Sequence, residues 1–427
     1  MKNHALVAAT AAVHIVAFYV ALGNERKKCL ERDRLNGKHH SQLLLNEGKF
    51  RQYYRMPFRA FEQLVRLLAP RLRVNEAQSR RRTGITPLTP VNKVQMCISW
   101  LAGYSFHPVR ALAGASKTAF YTSIHEVMDV IQEHDELQLR FPVTPQDQQQ
   151  SAYAFARLSS GGVLNGCVGA VDGWLCQVQV PRINEFKRVT SFFSGHYHCY
   201  GINVQACVDH HCRFTAVSSK CPRSMGDALA YEKWNLSAVA DNFPMGLYLV
   251  GDNAYSNSNT FLTPFTKPKT KTPSHDSFNL HLSQLRIRVE MAFGLLVNKW
   301  RVFKQPLKVR MKNVKKVVYV ACILHNWCID QRLSDEGGDD IQNDEDLGKA
   351  IESLGDDERD MVFDPSVAAG DLSKYRRLYR STQIEPEPTV VSEFVRGAIV
   401  YKLGSNNQLR PAYIVRRAED EKLNAGQ

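Results

Sequence analysis

Apolar residues recur at helical spacing from Tyr53 to Leu72, where Phe58, Phe61, Leu64, Val65 and Leu68 share one face. A second helical pattern starts at Pro90 and runs through Val94, Cys97, Ile98 and Leu101 to a turn at Gly103. It resumes from Val109 to Ala113 and turns again at Gly114. Ser116 is then placed to cap a third helix reaching about Ile131. Two short helices and a longer one joined by glycine turns suit a helix-turn-helix, and equally a helical bundle bracing the next domain; beyond Lys117 the last helix carries few basic residues.

Residues 142–160 are rich in Pro, Gln and Ser with little periodicity and read as a linker. The pattern then changes period. Cys167–Val180, Tyr200–Asp209 and Phe214–Ser219 alternate as strands, Ser224–Leu236 has a helical composition, and Leu247–Val250 is a short buried strand. A Pro- and Thr-containing loop over 264–273 precedes a long helix from about Phe278 to Trp300, and Val314–Ile329 is a further apolar helix. The fold class is α/β. The expected division is an apolar and basic segment over 1–50, a helical, helix-turn-helix-like region over 51–141, the linker over 142–160, an α/β domain over 161–330, and an acidic, largely disordered tail over 331–427. Val395–Tyr401 is a candidate strand within that tail.

Charge sharpens the picture. The chain carries 55 Lys and Arg against 42 Asp and Glu, a net charge of +13. Between Asp335 and Asp360 twelve acidic residues face only Lys349 and Arg359, so that stretch is at −10 and the remainder at +23. Such a surplus points to a polyanion, because Lys and Arg neutralise phosphates and release condensed counterions. The ten cysteines include no Cys-x-x-Cys pair, and reduced thiols are expected. His196, His198, Cys199, Cys207, His210, His211 and Cys212 lie close in sequence, but their spacing matches no standard zinc module. Ala5–Leu22 is almost wholly apolar, as in a leader or anchor. The heavier positive cluster, Arg26, Lys27, Lys28 and Arg32, follows that run, which opposes translocation, so a membrane partner is not expected.

Three residue sets carry candidate chemistry. Asp172 closes the apolar run Val168-Gly169-Ala170-Val171, with Gly173 leaving space beside it, and Asp252 closes Leu249-Val250-Gly251 in the same way. Taken alone, each is an ordinary turn former. Glu290 lies within the apolar and aromatic stretch Val289–Phe293, where an unpaired carboxylate would be costly. It either meets a metal ion shared with the aspartates or pairs with Arg286 one turn earlier. Carboxylates from separate elements suit a hard divalent cation, magnesium or manganese, and phosphoryl transfer. Arg286, Arg288, Lys299 and Arg301 flank this set as candidate phosphate contacts, or as a solvated face.

Taken in order, the motifs resemble the PIF/Harbinger transposase family, in its DDE endonuclease domain, over about residues 160–330. After the strand bearing Asp172 come Phe192-Phe193-Ser194-Gly195-His196-Tyr197, Gly201-Ile202-Asn203-Val204-Gln205-Ala206 and Pro222-Arg223-Ser224-Met225-Gly226-Asp227. Gly251-Asp252-Asn253-Ala254-Tyr255, Arg288-Val289-Glu290-Met291-Ala292-Phe293-Gly294 and Leu324-His325-Asn326 complete the series. The resemblance implies an RNase H-like fold, a catalytic triad of Asp172, Asp252 and Glu290, and Asp227 as a further metal-ligand position. It further implies a nuclear enzyme cutting DNA at element ends and joining the freed 3′ hydroxyl to a target, commonly aided by a Myb-like DNA-binding partner. Homo-oligomerisation stays open. Arg223 stands where the family usually has glycine. The competing expectations are a non-cutting descendant that binds DNA or chromatin proteins, and a plain nuclease without strand transfer.

Overall fold

The computed structural model describes residues 32–266, 269–270, 272–335 and 393–410. The apolar run over 5–22 and the acidic stretch from 336 onward lie outside the described residues. Among the described residues, no helix is long and apolar enough to cross a membrane.

The first part is helical: α1 (Gly37–Asn46), α2 (Phe50–Tyr54), α3 (Phe58–Leu72), α4 (Glu76–Thr83), α5 (Pro90–Leu101), α6 (Phe106–Leu112) and α7 (Lys117–Gln132). The pattern from Tyr53 to Leu72 is broken by Arg55, in the left-handed region at φ 57°, and by Pro57, which excludes helical backbone at the residue before it. Ser116 caps α7 as expected, accepting from the Ala119 amide at 3.1 Å. Phe120, Ile124, Val127, Met128 and Ile131 of α7 are buried, and between Ala119 and Ile131 only Thr122 is exposed. α7 packs along most of its length on its neighbours, as a bracing helix does, while Lys117 and Thr118 at its N-terminus and Thr122 are exposed.

Residues 142–160 are not a linker of irregular chain. Thr144 caps α8 (Pro145–Ala156), with Pro145 in its first turn, and Gln148, Ala152 and Phe155 are buried on one face. The face was hidden from the hydrophobic pattern because one of its three positions is glutamine, whose side-chain amide bonds the carbonyls of Pro142 (3.4 Å) and Val143 (3.3 Å).

The strands are β1 (Cys167–Gln177), β2 (Phe193–Ser194), β3 (Cys199–Val208), β4 (Phe214–Pro222), β5 (Tyr248–Val250) and β6 (Phe261–Leu262). They form one mixed six-stranded sheet in the order β2-β3-β1-β5-β6, with β4 also on β3. β1 is antiparallel to β3 and parallel to β5, and so holds the centre. Its residues are Val- and Cys-rich because both faces are covered. Val168 and Val171 belong to a core shared with Ala152 of α8 and Trp234, whereas Ala170 and Cys176 belong to the main core with Leu285, Val289 and Phe293.

The helix expected over Ser224–Leu236 is split into α9 (Asp227–Glu232) and α10 (Asn235–Ala240), because Trp234 takes extended backbone and buries its indole. α11 (Pro273–Lys299) crosses β1, β3 and β5, and α12 (Met311–Asp335) joins it to α7 and α3. Lys93 pairs with Glu126 at 2.8 Å, Lys316 with Asp129, and the Trp327 indole donates to the Ala60 carbonyl at 3.2 Å, so the helical part is fastened to itself and to α12.

The candidate strand at Val395–Tyr401 is instead within α13 (Phe394–Ser405), packed on α11. Arg396, Val400 and Leu403, spaced four and three apart, are its buried face, and a β-branched run had imitated a strand. This part of the tail is therefore ordered, with the Arg396 guanidinium 4.2 Å over the Phe265 ring.

Candidate active site

The register of the central strands brings Asp172, midway along β1, toward Asp252, just past the end of β5. In the parallel pair β1/β5, Ala170 faces Val250. Asp172 and Asp252 each lie two residues beyond this pair, Asp172 still within β1 and Asp252 in the loop that leaves β5, and the charge of Asp252 bears on Asp172. Asp172 is fixed by its own neighbour, accepting from the Gly173 amide at 2.7 Å, and Asp252 accepts from the Ala254 amide at 3.0 Å. Glu290 comes from α11, which lies across the same strands, and Asp172 feels both Asp252 and Glu290 as like charges.

Asp227 arrives from the first turn of α9. A Cβ on Gly173 would stand 2.1 Å from its Oδ1, so the missing side chain at 173 is what admits Asp227 against β1, where its charge bears on Asp252. Asp227 is then held by a relay of neutral amides. Asn203 Nδ2 and Gln205 Nε2 each donate to Oδ1 at 2.8 Å, and the Tyr255 hydroxyl donates to Gln205 Oε1 at 2.6 Å. Arg223 Nη1 lies 3.9 Å from the same oxygen. Asn203, Gln205 and Tyr255 stood in the motif blocks with no role attached; alternation along β3 marks 203 and 205 as sharing a face, the one signal that pointed to them.

Burial first, then the charges of Asp252 and Glu290, push the Asp172 carboxyl up to about 7, against the opposing pull of the Gly173 amide and Arg286. Asp252 is also raised, chiefly by burial and further by Asp227, while the Ala254 amide and Arg286 oppose the shift. Tyr255 is raised well above the usual phenol range by burial and by the three aspartates around it. A site that disfavours its own carboxylate charges is one that a cation would relieve.

The basic residues separate into different roles. Arg286 Nη1 pairs with Glu290 Oε1 along α11, so the alternative of a one-turn ion pair is realised. Arg288 and Lys299 are only 5% and 7% exposed, which removes them as a phosphate-binding surface. Arg288 instead bonds the buried Cys212 thiol, and Arg301 alone of the four is exposed. The four carboxylates offer only oxygen donors, the donor set a hard divalent cation prefers. In the side-chain arrangement seen, no three or more His, Cys, Asp or Glu among the described residues are placed to hold an ion. Glu290 is turned to Arg286, and Asp227 to Asn203 and Gln205. The set therefore fits the cation in chemistry and charge, with Arg286 supplying positive charge in its place.

Residues 171–326 match the family model of the DDE superfamily endonucleases. The match opens beside Asp172, closes on Asn326 and contains all four carboxylates, and it supports a DDE-superfamily endonuclease domain over this stretch. Such a domain acts on DNA and generally uses divalent metal. Searches of the curated proteins and of the solved structures found no match.

Proposed function

We propose that this chain is a divalent-metal-dependent DNA endonuclease of the transposase type, with Asp172, Asp252 and Glu290 as its catalytic carboxylates and Asp227 as a further metal ligand. The observation that carries the reading is the β1/β5 register, which sets Asp172 beside Asp252 under the helix of Glu290, inside a stretch matching the DDE endonucleases. The mixed sheet with β1 at its centre and helices on both faces is in keeping with an RNase H-like domain.

Asp172 and Asp252 would hold magnesium or manganese, with Glu290 and Asp227 completing the set. Bound there, the metal supplies activation of water and stabilisation of the leaving oxygen of a phosphodiester by a two-metal mechanism. Asn203 and Gln205 orient Asp227, and Arg286 balances charge until Glu290 is needed as a ligand. Of Arg286, Arg288, Lys299 and Arg301, only Arg301 is exposed to meet a phosphate. The products are cut transposon ends whose 3′ hydroxyl attacks target DNA. A PIF/Harbinger subtype, nuclear location, a Myb-like partner and a homo-oligomer belong to the same reading and rest on the motif series.

The test is cleavage of a duplex carrying the flanking terminal repeats with magnesium or manganese, comparing wild type with Asp252→Ala and Glu290→Ala. Metal-dependent cutting lost in both variants supports the reading; cutting that survives both sinks it. The Arg286–Glu290 pair favours a second reading, a non-cutting descendant that binds DNA. Folded protein that binds DNA yet neither binds Mn2+ nor cuts, with a Myb-like partner added, makes that the better account.

A further inference from the structure

Between β1 and β3 the chain leaves the sheet from Val178 to His198. It departs where Val178 bridges Leu307 and returns through the short strand β2. Ile183 (84% exposed), Val180 (61%), Tyr197 (54%), Phe186 and Phe193 present large apolar surfaces to solvent along this excursion. Five exposed large apolar side chains within one short excursion are the raw material of an interaction surface. Arg182, Lys187 and Arg188 are exposed among them, and Glu185 is the sole acidic residue of the excursion.

The excursion is attached to the turn that delivers Asp227. The Ser224 amide donates to the Ser191 carbonyl at 3.1 Å. The Arg223 guanidinium lies 5.5 Å over the Tyr197 ring while its Nη1 is 3.9 Å from Asp227, and Phe186 packs edge-on against the buried Phe192 at 4.8 Å. Arg223, the departure from the family's glycine, is thus the residue that links the excursion to the carboxylates.

We propose that residues 180–197 form a lip that grips DNA whose bases are unstacked or unpaired beside the scissile phosphate. Phe186 and Tyr197 offer faces for bases, and Arg182, Lys187 and Arg188 meet the phosphates. Aromatic faces interleaved with cations are what single strands require, since every base has a π-face and every linkage a charge. The alternation suits a paired duplex less well, whose bases are already stacked on one another. The inference rests on the nuclease reading and names where its substrate is held.

The test uses the full chain without divalent metal and compares, by fluorescence anisotropy, a plain duplex with the same duplex carrying a short unpaired bubble. Wild type is expected to prefer the bubble. Phe186→Ala and Tyr197→Ala each weaken bubble binding by roughly fivefold or more with little change on duplex, while Tyr197→Phe retains it. Arg188→Ala weakens both DNAs and flattens the salt dependence. Unchanged melting temperatures show that the variants fold. Equal binding of bubble and duplex by wild type, or aromatic variants indistinguishable from it, overturns the lip while leaving metal-dependent cleavage as evidence for the nuclease. Folded wild type that binds neither DNA also overturns the lip, and the nuclease reading is then judged by metal-dependent cleavage alone.

Discussion

Two polar clusters lie on the same sheet and are built on opposite principles. Around the β3–β4 turn every charge is answered. Asp209 accepts from the amides of His211 and Arg213 at 2.9 Å and from Arg213 Nε at 2.7 Å, and Arg213 reaches Asp330 at 2.9 Å. Asn326 bonds both the amide and the carbonyl of Phe214 at 2.8 Å, and His325 Nε2–H donates to the Cys212 carbonyl at 2.9 Å. The Leu324-His325-Asn326 motif is thus a clip that fastens a hairpin to α12. Beside the middle of β1 and the end of β5, by contrast, acidic groups are gathered with Arg286 facing Glu290 and both aspartates. A cluster that satisfies itself serves the fold. One left short of positive charge is poised for a ligand, at some cost to stability.

Removing a carboxylate from the deficient cluster should separate the two roles most sharply. Asp172→Asn is expected to lower metal-dependent cleavage by about a thousandfold or more. The metal-free protein should meanwhile melt higher, by roughly 1 kcal/mol, because a buried charge beside like charges is gone. Kinetics and calorimetry on one preparation check both, and a variant that loses stability along with activity would collapse the contrast.

The clip responds to acid. Burial holds His325 down at about 4, opposed by its bond to the Cys212 carbonyl. Because the folded value lies below the unfolded one, stability is complete above about pH 6.5 and is lost as pH falls toward 4, by up to about 3 kcal/mol. Urea titrations of wild type and His325→Gln across that window should differ in slope; parallel curves would remove His325 from the account.

Asn326→Ala leaves the Phe214 amide and carbonyl without their partner and should cost about 2 kcal/mol, with cleavage per folded molecule unchanged. The smallest effect belongs to the relay behind Asp227. Tyr255→Phe removes one hydrogen bond to Gln205, and a roughly tenfold loss of Mn2+ affinity, read by titration, is expected with little change in melting. Equal affinities would show that Asp227 needs no such support.

Much of this was legible along the chain. The helical repeat of the first part, the cap at Ser116, the strands at 167, 200, 214 and 247, and the small residue beside Asp172 are local features, and sequence spacing reports them directly. The failures share a cause. α8 hides its buried face because Gln148 takes an apolar place and finds its partners in nearby carbonyls. α13 looks like a strand because Val395, Ile399, Val400 and Tyr401 favour extended chain, and only docking on α11 decides otherwise. Arg288 and Lys299 read as surface cations until α11 is buried on three strands.

The amino-acid sequence by itself determined that carboxylates follow apolar strand residues at 172 and 252 and interrupt an apolar helix at 290, and that the motifs run in the order of a DDE endonuclease. Tertiary structure alone decided that Asp172 and Asp252 stand side by side, that Gly173 opens the place for Asp227, and that Arg286 is turned inward to Glu290. Those outcomes depend on strand register, close approach and charge pairing between residues far apart in the chain, and no local pattern encodes a distance that folding has yet to create.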